Sequence, residues 1–292
     1  MGVRSLVWKW SYIHIRVISL VVGMLVVSTS LAQSLVLGVH PYRPHAELIK
    51  MFSPLAKFLT QETGKLVEVR VGESYESHFK AIVQGKVDFA FLGPAVYVQL
   101  TRENEIPQLL ARLEINGRPT FTGRIISREG SGVKTIDDLR HSHFAFGNPS
   151  STMSHLVPRQ MLFEAGIDVS DFAGHQFYSN HNNVALAILA GDADAGAVKE
   201  AVYEKYRPLG IVSIASTPEI SEHLFISPVK TDPIKVASLR RHLLSLTADN
   251  PITRQVLGPI KKTATALVEV KNKDYHKLRG ILAALRDRGV LE

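Results

Sequence analysis

The chain repeats itself, and no other feature restricts its possible folds as strongly. Moved on by 106 positions, Ile82-Val83-Gln84-Gly85-Lys86-Val87-Asp88-Phe89-Ala90 falls on Ile188-Leu189-Ala190-Gly191-Asp192-Ala193-Asp194-Ala195-Gly196, and Ala95-Val96-Tyr97 on Ala201-Val202-Tyr203, without a gap. The same shift lays 36–39 over 142–145, 66–71 over 172–177, Tyr42 over Asn148 and Tyr75 over His181. A single helix–Gly–strand match is common. Agreement across five elements in order points to two similar lobes. Apolar runs at 35–39, 66–71 and 87–92 alternate with helical patterns at 45–63, 75–84 and 95–101. That βαβα order predicts an α/β fold, each lobe a mostly parallel sheet flanked by helices.

In open α/β sheets, ligands sit outside the carboxyl ends of the strands. Those ends are Pro41-Tyr42, Ser74-Tyr75 and Gly93-Pro94 in one lobe, and 148–152, Asn180-His181 and Lys199-Glu200 in the other. If the lobes face each other, these loops line one cleft. The loop after Phe144-Ala145-Phe146 carries the most chemistry. Gly147-Asn148-Pro149 is turn chemistry, and Ser150, Ser151 and Thr152 stand where a helix needs its N-cap. A helix opening there points free N–H groups and partial positive charge at the hydroxyls, which suits an anion. A plain capped helix is the alternative reading.

Composition narrows the function. The 292 residues carry a net charge of +7 and no cysteine. Disulfides, thiol catalysis and lipid attachment through cysteine are therefore excluded. Arg4, Lys9 and Arg16, the apolar run 17–27 and Ser30-Leu31-Ala32 predict a signal peptide over 1–32, a retained anchor being the alternative. Cleavage removes three cations and leaves about +4, a mild bias towards anions and too scattered for nucleic acid. No G-x-S-x-G, H-E-x-x-H or G-x-x-x-x-G-K pattern is present, so no enzyme activity, catalytic residue, metal or cofactor is expected. The chain crosses between lobes near 118–126 and returns near 222–228, giving lobe 1 over 33–122, lobe 2 over 123–223, and a return to lobe 1 over 224–292. The amphipathic tail 274–291 is expected to pack on the first lobe.

Together Pro41-Tyr42, the run from Gly85-Lys86-Val87-Asp88 to Gly93-Pro94-Ala95-Val96-Tyr97, the serine–threonine turn, Asn180-His181 and Gly191-Asp192-Ala193-Asp194 resemble one family. It is the phosphonate-binding family of periplasmic solute-binding proteins that serve ABC importers. The resemblance implies a two-lobed, type II-like binding protein, free in the periplasm, closing by hinge motion on a small phosphorus oxyanion (phosphonate, phosphite or phosphate). It implies a partner in the membrane, an ABC permease or alternatively a sensor kinase, and a monomer. Carried over by position, the ligand-binding residues are Tyr42, Tyr97, Ser150, Ser151, Thr152, Ser154, His181 and Glu200, with Tyr75 a further wall residue. The family turn S-T-S-G is here Ser151-Thr152-Met153-Ser154, so a thioether replaces one hydroxyl unless Ser154 takes over. The acidic segment that would suit a ligand amino group is reduced to Pro218-Glu219-Ile220-Ser221-Glu222-His223.

Overall fold

The computed structural model describes residues 34–102 and 106–291; the expected signal peptide lies outside the described residues. The first lobe opens with β1 (Leu35–Val39), α1 (His45–Thr63), β2 (Val67–Val71), α2 (Tyr75–Val83), β3 (Phe89–Leu92) and α3 (Pro94–Leu100). Strands β4 (Gln108–Ile115), β5 (Thr120–Phe121) and β6 (Gly123–Arg128) lead across. The second lobe continues with β7 (His143–Phe146), a π-helical turn (Thr152–Leu156) running into α4 (Val157–Glu164), β8 (Gly174–Phe177), α5 (His181–Ala190), β9 (Ala195–Lys199), α6 (Glu200–Tyr206) and β10 (Ile211–Ser216). Strands β11 (Ile220–Ser221) and β12 (Leu224–Ser227) lead back, followed by α7 (Pro233–Leu244), α8 (Thr253–Leu257), β13 (Ala264–Val268) and α9 (His276–Asp287).

The two sheets have the orders β13-β4-β12-β3-β1-β2 and β10-β6-β9-β7-β8. Each contains one parallel trio, β3-β1-β2 and β9-β7-β8. These trios are the repeated units: α3 and α6 are both seven residues long, 106 positions apart. Gly85 and Gly191 end the equivalent helices at φ 65° and 86°, where a side chain would be strained. The remaining strands are antiparallel, so the sheets are mixed and the expected parallel order holds for the trios alone. The reason is the crossover. A strand arriving from the other lobe enters beside β3 or β9 from the far end, and must run against it.

The two crossings touch. β5 and β11 pair antiparallel, with Phe121 opposite Ile220 and Thr120 opposite Ser221. Two short strands side by side concentrate bending there, the arrangement of a hinge. The tail departs from expectation. Leu278, Leu282 and Leu285 of α9 are fully buried, but α9 lies on both α3 and α4, hence on both lobes. Tyr97, Met153 and Leu156 share that apolar cluster.

Candidate functional site

Five of the six strand-end loops meet in a small enclosed pocket. Its walls are His40 and Tyr42 after β1, Tyr75 after β2, Gly93 after β3, Ser150 to Met153 after β7 and His181 after β8; Phe121 and His223 close it from the hinge side. About 10 Å³ is open, room for roughly one water-sized sphere.

Each wall residue is fixed by its local structure. The turn before Ser151 is tied by His155, whose ring bonds the Pro149 carbonyl at 2.7 Å, and by Asn148 Oδ1, which accepts the Ser150 N–H at 2.9 Å. Gly147 admits no side chain: a Cβ there would lie 1.9 Å from Ser154 Oγ. Ser151 is the N-cap, and its Oγ accepts from the Ser154 N–H at 3.4 Å and the Ser154 hydroxyl at 2.7 Å. Tyr75 and His181 occupy equivalent first positions of α2 and α5, behind N-caps Ser74 and Asn180. The repeat therefore brings an aromatic O–H and an imidazole to this pocket from opposite lobes. Tyr75 lines the same pocket as Ser151, and His181 Nε2 lies 3.5 Å from Ser151 Oγ. An interlobe bond runs from the Ala95 N–H to Thr152 Oγ1 at 3.1 Å.

Both pocket imidazoles are set as neutral donors. His181 Nδ1 accepts the Lys199 N–H at 3.1 Å, which puts the ring proton on Nε2, towards Ser151. His40 Nδ1 accepts the Gly93 N–H at 3.2 Å; its Nε2–H is then a buried donor with no partner among the described residues. Burial pushes both pKa values well below 6.5, with nearby histidines and Lys199 adding to the effect. His223 is the complement. Its Nδ1 contacts Glu222 Oε1 at 2.5 Å, and burial lowers its pKa against the pull of that carboxylate. A neutral His223 then offers Nε2 as an acceptor. The inner pocket thus presents hydroxyls, imidazole N–H groups, helix-start N–H groups and one acceptor, with no fixed charge.

The expected residues fall in several places. Tyr42, Ser150, Ser151, Thr152 and His181 line the pocket. Ser154 stands behind Ser151 and supports it, while Met153 fills the wall and accepts from the Thr217 hydroxyl at 3.4 Å. Tyr97 is elsewhere. It is fully buried against Tyr275, its O–H donates to Asn272 Oδ1 at 2.8 Å, and Tyr75 is the second lobe-1 tyrosine at the pocket. Glu200 lies in a wider outer cavity, doubly bonded to Arg124 at 2.5 and 3.0 Å. The acidic segment near the return crossing is also occupied: Glu222 is buried between His223 and Lys261. Sequence reasoning missed His40 and His223. The one visible signal for His40 was a polar ring closing the apolar run 35–39.

These positions make a direct contrast. Tyr75→Phe is expected to weaken binding of an anion seated in this pocket about tenfold, the loss of one hydrogen bond to a charged group. Tyr97→Phe is expected to leave affinity within about twofold and cost about 1 kcal/mol of stability. Titration calorimetry and thermal melts of the two variants check this.

Two α/β lobes on paired crossing strands, with a donor-lined pocket between them, define the fold of the periplasmic binding proteins. The chain belongs to the phosphonate branch of that class: the family model for the periplasmic substrate-binding protein of phosphonate ABC transporters matches residues 37–275. It is 27% identical over 183 residues to the phosphate-import protein PhnD of Mycolicibacterium smegmatis, 59% of this chain and 57% of that protein. A probable phosphite-binding protein PhnD1 of Prochlorococcus marinus is 32% identical over 76 residues, 25% of this chain and 26% of that one. The chain thus spans about half and about a quarter of these relatives' lengths. Among solved structures, PhnD1 of P. marinus with methylphosphonate superposes at a TM-score of 0.79 and 18% identity, covering 89% of this chain and 100% of that one. XAC2383 of Xanthomonas citri bound to ATP gives 0.73 and 21%, with 89% and 99% covered. At these identities the likeness is one of fold.

Proposed function

We propose that this protein captures a small phosphorus oxyanion, a phosphonate, phosphite or phosphate, between its lobes and delivers it to an ABC importer in the membrane. It works in the periplasm, exported by residues 1–32, as a monomer, and it binds without turnover. One observation carries the reading: Tyr75 of one lobe and Ser151 and His181 of the other line one pocket at a helix start, with His181 Nε2 3.5 Å from Ser151 Oγ. An oxyanion placed there meets donors from both lobes at once, so it stabilises the closed form over the open one. The ligands of the relatives, phosphate, phosphite and methylphosphonate, support the same class. Hydrogen bonds to charged groups contribute about 1.5–3 kcal/mol each, so a handful reaches about micromolar affinity, roughly 8 kcal/mol. Calorimetry on protein stripped of bound ligand is expected to give micromolar or tighter binding to at least one of phosphite, methylphosphonate and phosphate. No heat with any of them would contradict the proposal.

A further inference from the structure

We propose that this protein prefers phosphonates whose substituent carries a second negative charge, and that Lys199 is the residue that reads that charge. The inference rests on the oxyanion reading above. The inner pocket is not sealed. A larger cavity of about 660 Å³ adjoins it and shares Tyr42, Phe121 and His223 with it. A phosphonate held at Ser151 has one corner that is carbon rather than oxygen, and this is the way out for it. A methyl group needs none of that space, whereas the volume lies within the range of small-molecule sites.

The charges on the cavity wall decide what the space suits. Its carboxylates are engaged. Glu47 is paired with Arg43, Glu200 with Arg124, and Glu204 with Arg207 at 3.5 Å. Glu222 holds Lys261 at 3.3 Å on one oxygen and His223 on the other. An incoming ammonium would have to share a carboxylate with one of these cations. Lys199 is the counter-example. It ends β9, next to the shared wall, and its Nζ stands 4.3 Å from the centre of the Tyr42 ring. Among the described residues no carboxylate oxygen lies within 4.0 Å of it; the Tyr42 ring face is its near partner, and Glu222 and Glu47 attract it only from farther off. Burial, with the nearby Arg43 and Lys261, outweighs the pull of Glu222 and Glu47 and lowers its pKa to about 7, so the cation is under-compensated where it stands. A carboxylate on the ligand would supply the missing charge.

The test is calorimetry on the stripped full chain with methylphosphonate, phosphonoacetate and 2-aminoethylphosphonate. Phosphonoacetate is expected to bind at least about tenfold tighter than either of the others. Lys199→Met keeps the stem against Tyr42 and removes the charge; it is expected to bring the phosphonoacetate-to-methylphosphonate ratio within about threefold of one. Lys199→Arg is expected to keep the preference, which separates lost charge from lost folding. Equal binding of methylphosphonate and phosphonoacetate, or tightest binding of the amine, overturns this inference alone. So does a Lys199→Met ratio that stays at tenfold. Silence towards all three overturns this inference, and the oxyanion reading falls with it only when phosphite and phosphate are silent too.

Discussion

Changing Ser151 to Ala and Thr152 to Val together is expected to weaken oxyanion binding by about 10²- to 10⁴-fold. Both side chains point into the interlobe pocket and are nearly buried, at 4% and 6% exposure, so bulk water cannot replace them. Each lost bond to a charged ligand costs about 1.5–3 kcal/mol, and about 1.4 kcal/mol is tenfold. Fold stability falls too: Ser151 is an N-cap, worth about 1 kcal/mol, and valine keeps the shape of threonine but leaves the Ala95 N–H without its acceptor, about 1–3 kcal/mol. At about 2–4 °C per kcal/mol the melting temperature drops by roughly 4–16 °C, and calorimetry is run well below it. Affinity must fall by at least two decades in protein that is still folded.

The second large effect is on stability. Glu222 sits beside the hinge pair, 2% exposed, with its carboxylate between His223 and Lys261 and its backbone carbonyl accepting the Tyr275 O–H at 3.1 Å. Burial alone would raise its pKa. The His223 bond and the charges of Lys261 and, at the acid pH where this carboxyl titrates, of His223 outweigh it and hold the pKa at about 2. Removing one member of a buried pair costs about 3–5 kcal/mol, and Lys261 can turn to water, so the lower end applies. For a domain of this size, about 3 kcal/mol corresponds to a melting temperature lower by roughly 6–12 °C. Glu222→Ala is expected to show that drop. The pH dependence follows from the sign of the shift. A carboxyl whose folded pKa lies below its unfolded 4.5 contributes fully above about 4.5 and loses that contribution as pH falls towards 2. Acid melts of the parent should steepen across that window, and those of Glu222→Gln should not.

The frame of this molecule was legible because its punctuation is local. Gly85 and Gly191, Ser74 and Asn180 end and start equivalent helices by their own conformational preferences, so a shift of 106 positions exposed two lobes. Ser151, Thr152 and His181 could be named for the same reason: helix starts are written in neighbouring residues. Tyr97 could not be placed that way. Motif position suggested the cleft, but its surroundings are Tyr275 and Asn272, from the far end of the chain. Lys199, His40 and His223 gain their settings from distant partners too, the Tyr42 ring, the Gly93 N–H and a stack on Phe91. The mixed sheets were hidden because strand direction at a crossover depends on which lobe the chain has just left. The role of the reduced acidic segment 218–223 was not legible, since the Lys261 that neutralises Glu222 is 39 positions away.

The most direct measurement is a crystal structure of the protein with methylphosphonate. The predicted result is the phosphonate between the lobes, its oxygens about 3 Å from Ser151 Oγ and His181 Nε2 and its methyl group turned towards Tyr42 and the outer cavity. Phosphonate density outside the pocket, with the Ser151–His181 corner empty of it, would contradict it.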